Sequence, residues 1–331
     1  MAARFSVRVR GDGVAALACA RLLRNAGIGV SVESAERARV PALLLSGAST
    51  SLLSDIFGRT DLFEGLHRIT SRRVAWGSEA IKVPHSGIVV AEDALIGLMP
   101  RPDEAPTPCE FIVYTTRPLP APSTRRPFGS QEATGARATL RASADSHSCY
   151  VESLDNGWLF LVPLNACESW VLAVGATVET LLASSRLVAD AVDGVEAPTS
   201  AFATSPGIAD PPCAESWLAC GSAALTLDPL CGDGTASAAR EAILAAAVVS
   251  AIAEGGDRNA LLVHYESLLI GAMRRHLALC ADFYGAGSGP WWTEQCALLK
   301  EGHEWCTSRL ALLPEPRYRL RNFDLVPIER G

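Results

Sequence analysis

The chain has 331 residues, 49% hydrophobic and 20% charged, a balance that builds a large core and excludes a mostly disordered protein. At roughly 150 residues per domain it holds about two domains' worth of structure. With 29 Lys and Arg against 36 Asp and Glu the net charge is −7, so neither nucleic acid nor an acidic membrane surface is an expected partner.

The basic residues are nearly all Arg, with Lys only at Lys82 and Lys300, and Ala is abundant; this usage points to a GC-rich bacterial genome. Ten Cys are spread without a CxxC or a Cys/His pairing at zinc spacing. They read as buried thiols of a reducing cytosol, and no metal site is expected. The first ten residues alternate charged and apolar types and lack the apolar core of a signal peptide. The longest strongly apolar stretch, 242–253, is too short to span a bilayer. The expectation is a cytoplasmic protein with no membrane span.

In chain order, 5–10 alternates at period two and predicts a strand, followed by a turn at Gly11-Asp12-Gly13 and an Ala/Leu-rich helix over 14–25. Gly27 ends that helix, and 28–33 predicts a second strand, giving a βαβ opening. A helix is expected around 51–57, strands at 73–76 and 88–90, and a short helix at 91–98. Eight Pro between 100 and 127 mark loops around one strand at 111–114. Strands at about 136–142, 147–153, 158–163 and 169–175, separated by turn signals such as Asp155-Asn156-Gly157, predict an antiparallel sheet. A helix is expected over 177–193 and a strand at 217–220. From 235 to 313 the pattern is helical, with breaks at 255–256 and 285–290.

Two motifs carry chemistry. In Gly11-x-Gly13-x-x-Ala16, following a strand and opening a helix, the first Gly permits a tight turn, the second admits a pyrophosphate, and Ala16 allows close packing. Val14 and Ala15 open the helix, whose unpaired N–H groups and dipole favour an anion. Glu33, 20 residues after Gly13, is placed to accept from ribose hydroxyls. Late in the chain, Gly221-Ser222-Ala223-Ala224 and then Asp228-Pro229-Leu230-Cys231-Gly232-Asp233-Gly234-Thr235 open a second long helix and form a second backbone-rich anion site.

This pairing resembles the FAD-dependent aromatic hydroxylase and tryptophan halogenase superfamily. The resemblance implies an α/β fold: a Rossmann-like FAD-binding domain (1–60, 88–115 and 205–255), an inserted antiparallel substrate domain (61–87 and 116–204) and a helical C-terminal region (256–331). By the same resemblance Ser222 lies on the ribityl chain, Pro229 near the flavin ring, and Gly232 with Gly234 at its pyrimidine side. The family usually has Asp where this chain has Ser222, which implies weaker FAD binding.

Residues Gly157-Trp158-Leu159-Phe160-Leu161-Val162-Pro163 resemble the WxWxIP strand of the flavin-dependent halogenases. Those enzymes use a Lys before a strand ending in Trp. The comparable run here, 66–76, has no Lys; Arg68 falls nearest by spacing to Trp76, and Lys82 is displaced. A guanidinium cannot replace the amine. The implied function is therefore an FAD-dependent monooxygenase. It would hydroxylate an aromatic small molecule or a peptide- or protein-borne Trp with O2, through a flavin C4a-hydroperoxide. Electrons would come from NAD(P)H or from a separate reductase. Short halogenase-like flavoproteins that mature peptide-derived quinone cofactors are similar in size. The alternatives are halogenation, a geranylgeranyl-reductase type of reaction, and a flavin-binding accessory protein acting with a partner.

Among single residues, Asp228 and Pro229 beside the flavin cradle are the leading catalytic candidates. His85 precedes a strand directed at the substrate pocket and is either an acid/base group or a polar residue at a sheet edge. Glu152 alternates with apolar neighbours and faces solvent or pocket. Arg126 binds substrate or is an ordinary surface residue. Trp158 and Phe160 line a pocket or belong to the core, and Trp291 and Trp292 pack helices or meet a partner.

Overall fold

A computed structural model of the chain describes residues 5–35, 37–100, 109–198, 200–232 and 234–328. Its first layer is a five-stranded sheet. Ser6–Arg10 lies between Gly29–Glu33 and Phe111–Tyr114, both parallel to it, with Val7 opposite Val30 on one side and Phe111 on the other. Trp217–Ala219 extends the sheet in parallel, and Cys213–Ala214 closes its edge antiparallel. Val7, Val9, Phe111, Val113 and Leu218 are fully buried, as expected for a parallel sheet covered on both faces.

Among the described residues seven α-helices follow: α1 (Val14–Asn25), α2 (Gly47–Phe57), α3 (Glu92–Leu98), α4 (Val178–Ser184), α5 (Gly234–Ala253), α6 (Arg258–Tyr284) and α7 (Pro290–Ala311). Ala16, Ala18 and Ala20 of α1 and Ala239, Ala242 and Ala245 of α5 are all fully buried. These small residues let the two helices lie close against each other, and α6 and α7 pack as a pair behind them. Among the described helices, α5 alone is long and apolar enough to cross a membrane, and here most of it is buried in the core.

The second layer is a nine-stranded sheet. It runs from Val192–Val195 through Glu132–Leu140, Glu168–Val174, Gly157–Pro163, Ser148–Leu154, His67–Ala75 and Ile81–Val90 to Leu43–Ser46, with Ser200–Ala203 also paired to Glu132–Leu140. All neighbours are antiparallel except His67–Ala75 with Ser148–Leu154. A three-stranded sheet of Thr124–Pro127, Gly207–Asp210 and Leu225–Thr226 lies beside these layers, and a hairpin, Tyr318–Arg321 with Asp324–Pro327, follows α7. The fold is the expected α/β architecture with an antiparallel sheet inserted in the chain.

Three expectations change. The strands expected at 73–76 and 88–90 are the ends of the longer His67–Ala75 and Ile81–Val90. The helix expected over 177–193 stops at Ser184, followed by a short 3-10 turn and the strand Val192–Val195. The cause is Glu152, which faces neither solvent nor a ligand cavity. It is buried, and its carboxylate accepts the Ser185 hydroxyl and the N–H groups of Arg186, Leu187 and Val188, at 2.5, 2.9, 3.2 and 3.0 Å. Those N–H groups are thereby withdrawn from helix continuation.

Candidate functional site

A cavity of about 370 Å³ opens at the C-terminal edge of the parallel sheet, lined by Gly13, Val14, Ala15, Arg37, Glu92, Thr115, Gly221, Ser222, Pro229, Gly234, Thr235 and Glu241 among others. This is the crevice in which open α/β sheets bind ligands. Glycines shape its floor and the turn beneath it. Gly11 sits at φ +125, where a Cβ would fall 2.1 Å from Thr115 Oγ1, and Gly221 sits at φ +61, where a Cβ would fall 2.6 Å from that of Ala15. Gly13 caps α1 in an extended conformation, and Ala16 is wholly buried beneath the turn. The Ser222 hydroxyl donates to the Thr115 carbonyl at 3.4 Å.

Charged groups ring this cavity. Glu92 pairs with Arg37, the second contact being Nη1 to Oε2 at 3.0 Å, and Asp12 pairs with Arg39 at 2.6 Å. The Asp12 hydrogen bond, against burial, raises the Arg39 guanidinium above its ordinary range. Asp12 Oδ1, Arg39 Nη1 and Glu241 Oε2 are buried without a hydrogen-bond partner. Burial pushes the Glu241 carboxyl well above its usual range, against a hydrogen bond from the Gly221 N–H. Burial thus favours its protonated form, which can donate. A cradle of glycines at a helix N-terminus, edged by unpartnered polar atoms, fits a ligand rich in phosphate and hydroxyl groups, as FAD is.

Glu33 is placed elsewhere. Its carboxylate lies 3.8 Å from Arg8 and 3.6 Å from Arg10 and does not line the cavity, although its backbone carbonyl accepts from the Gly11 N–H at 2.8 Å. Asp233 lies outside the described residues.

A second cavity, about 810 Å³, shares Leu225, Leu227, Gly234 and Glu241 with the first and is further lined by Arg72, His85, Asp228, Cys231, Gly232 and His276. Asp228, 2% exposed, anchors the segment between them. Its Oδ1 accepts from the Leu230 N–H at 2.9 Å, capping the turn that starts at Pro229, and its Oδ2 accepts from the Tyr284 hydroxyl at 2.6 Å. Tyr284 in turn accepts from Trp158 Nε1 at 3.3 Å. Burial raises the Asp228 carboxyl from 3.8 to about 6, opposed by the Tyr284 and Leu230 hydrogen bonds. Gly232 follows in the left-handed region, and Arg72 Nη2 lies 3.9 Å from where its Cβ would be.

His85 lines this second cavity with its Nε2 3.3 Å from Arg72 Nη2. Arg has no acceptor, so Nε2 is the unprotonated nitrogen. Burial, and then the Arg72 charge, lower the imidazole's pKa. Arg68, nearest to the halogenase Lys by spacing, is exposed and lines neither cavity. The pairing with Ile81–Val90 shifts register between Ile69 and Ser71, and Arg72 is the side chain of that strand that reaches the cavity. Lys82 is exposed and paired with Asp145 at 3.0 Å.

The remaining residues singled out from the sequence are structural. Trp158 and Trp292 are buried, and Trp292 meets Trp76 and Tyr284 edge-on at 5.3 and 5.1 Å. Trp291 and Phe160 are partly buried against the same core. Arg126 pairs with Asp210 at 3.3 Å and lies over Trp305. Sequence reasoning did not single out Arg37, Glu92, Thr115, Glu241 or His276. Of these, Glu241 alone carried a signal, the one acid inside an Ala-rich helix. The structure also brings Cys231, His276 and Cys280 together, their ligand atoms within 4.8 Å of one another.

No family model matches the sequence, and no curated protein matches it. Solved structures do resemble the fold. The peptidyl tryptophan dihydroxylase QhpG, essential for tryptophylquinone cofactor biogenesis, is 17% identical with a TM-score of 0.71, covering 98% of this chain and 86% of its own. The flavin-dependent halogenase CmlS is 16% identical with a TM-score of 0.72, covering 94% and 72%. The 2,6-dihydroxypyridine-3-hydroxylase of Arthrobacter nicotinovorans is 14% identical with a TM-score of 0.60, covering 86% and 94%. The chain thus has the fold shared by these halogenases and hydroxylases.

Proposed function

We propose that this chain is an FAD-dependent oxidoreductase, a monooxygenase that hydroxylates an aromatic substrate, either a small molecule or a Trp borne by a peptide. The observation that carries this reading is the pair of adjoining cavities meeting at Gly234 and Glu241, one with a glycine cradle and unpartnered polar atoms, the other with titratable side chains. The α1 N-terminus with Gly11, Gly13, Val14 and Ala15 would hold the pyrophosphate, Ser222 and neutral Glu241 the ribityl hydroxyls, and Pro229, Gly232, Gly234 and Thr235 the ring. FAD supplies the redox chemistry with O2, taking electrons from NAD(P)H or from a separate reductase. The segment division 1–60, 88–115 and 205–255 for cofactor, 61–87 and 116–204 for substrate, and 256–331 as support serves this arrangement, in a cytoplasmic setting.

The chain's own residues position and protonate. His85, unprotonated at Nε2, takes a proton from a phenol in the second cavity once the substrate displaces Arg72 Nη2 from that nitrogen. Asp228, tied to Tyr284 and Leu230, fixes the Pro229 turn at the boundary of the cavities. Leu268, Leu269 and Leu279 give the second cavity an apolar wall that limits water. No Lys lines it, which favours oxygen transfer over halogenation. The test is product mass: with FAD, a reductase and a panel of phenols, indoles and Trp peptides, one substrate gains oxygen. Gain of halogen, or only a change in hydrogen count, overturns the hydroxylase reading.

A further inference from the structure

Cys231 ends the turn that Asp228 caps, and Cys280 lies on α6, 49 residues later in the chain. Their sulfurs are 3.6 Å apart, in direct contact, whereas a disulfide bond is about 2.05 Å long. Cys231 lines the second cavity and is half-buried, whereas Cys280 is buried behind it. His276, one helical turn before Cys280, has its Nε2 3.4 Å from the Cys280 sulfur. The same Nε2 accepts from the Asp228 N–H at 2.9 Å, so it is the unprotonated nitrogen and its one in-plane lone pair is engaged.

A metal ion is the competing occupant, because two sulfurs and an imidazole nitrogen at these separations resemble three corners of a tetrahedral site. The Asp228 N–H already takes the in-plane lone pair of His276 Nε2. A metal would have to break that bond and leave a backbone donor without its partner. Disulfide formation requires no such loss.

We propose that Cys231 and Cys280 are a redox pair in which Cys231, facing the cavity, reacts with a hydroperoxide and Cys280 then closes a disulfide. Cys231 attacks one oxygen of hydrogen peroxide, giving the sulfenic acid and, with the thiol proton, one water. The Cys280 sulfur then displaces the sulfenic oxygen, which leaves as water together with the Cys280 thiol proton. In sum two thiols and one H2O2 give one disulfide and two waters, and an external dithiol restores the pair. Hydrogen bonding to Cys231, and then burial, hold the Cys280 thiol far above its ordinary range. It therefore favours the protonated form and acts second. The pair goes beyond the hydroxylase reading and does not depend on it, since the oxidant in the test is added.

The full-length chain, freed of reductant, is treated with hydrogen peroxide, alkylated, and mapped without reduction. The expected result is the loss of two hydrogens and a cross-linked peptide containing Cys231 and Cys280, while the exposed Cys167 still alkylates. Dithiothreitol reverses both changes. In Cys280→Ser the cross-link is lost and a sulfenic-acid probe such as dimedone labels Cys231; in Cys231→Ser neither product forms. Full alkylation of both cysteines after peroxide, or mass loss traced to Cys167 dimers, overturns the proposal. So does stoichiometric zinc binding that Cys231→Ser abolishes and that protects the pair from peroxide. If peroxide oxidises the pair in a chain that binds no FAD, the redox proposal stands and the flavin reading fails.

Discussion

Replacing Tyr284 by Phe removes a single oxygen from the core and tests how the Asp228 segment is held. That hydroxyl donates to Asp228 Oδ2 at 2.6 Å and accepts from Trp158 Nε1. Asp228 titrates at about 6 instead of 3.8, which at about 1.4 kcal/mol per tenfold amounts to about 3 kcal/mol against its ionised form. A raised carboxyl keeps its proton in the native state when the unfolded chain has already released it. Its contribution to stability is therefore greatest below pH 4 and is lost as pH rises through about 6. A hydrogen bond to an ionised group contributes about 1.5–3 kcal/mol and one to a neutral group about 1. Tyr284→Phe should thus cost about 1 kcal/mol at pH 5 and about 2–3 kcal/mol at pH 8, with the carboxyl pushed higher still. Urea unfolding of both proteins at the two pH values measures this, and other titrating groups cancel in the difference. In an Asp228→Asn background the same substitution should show no dependence on pH. An equal cost at both pH values, or a larger one at pH 5, refutes the reasoning.

Other consequences follow from the same contacts. Glu152→Ala strips the acceptor from three backbone N–H groups and the Ser185 hydroxyl, and should destabilise the chain by about 3–5 kcal/mol; a loss below about 1 kcal/mol in urea unfolding would contradict the structure. Arg72→Leu removes the charge that, after burial, holds His85 down, so the His85 titration followed by NMR should move upward, and an unchanged or lowered value would place Arg72 elsewhere.

The parts of the molecule legible in the sequence are those set by short-range periodicity and turn chemistry. The strand at 6–10, the turn at Gly11, and α1 follow from alternation, a required positive φ and a 3.6-residue apolar pattern. The breaks between α5, α6 and α7 follow from glycine and proline. Glu152 escaped this reading because its partners lie 33–36 residues away in sequence, and alternation along a strand assigns a side without showing what lies there. Spacing to Trp76 points to Arg68 alone, because counting along a strand cannot register the bulge between Ile69 and Ser71, and Arg72 is the residue of that strand that lines the cavity. Glu33 ends its strand as expected, yet the neighbouring Arg8 and Arg10 draw its carboxylate away from the cavity. The Cys231, His276 and Cys280 cluster joins a turn to a helix face, a juxtaposition no local motif encodes.

The central claim is that the glycine cradle at the sheet edge holds FAD. Its most direct test is a titration of the purified chain with FAD, followed by quenching of flavin fluorescence, for the wild type and Gly13→Val. A Cβ at residue 13 meets side chains and no backbone, Arg37 Nη2 at 2.7 Å and its ion-pair partner Glu92 Oε1 at 3.7 Å, so the fold absorbs it by a shift of the Arg37 end while the approach to the backbone closes. The account predicts saturable binding of one FAD per chain, weakened about 100-fold in Gly13→Val, the equivalent of two lost hydrogen bonds of about 1.4 kcal/mol each. A wild-type chain that binds no FAD, or a folded Gly13→Val that binds it unchanged, would contradict it.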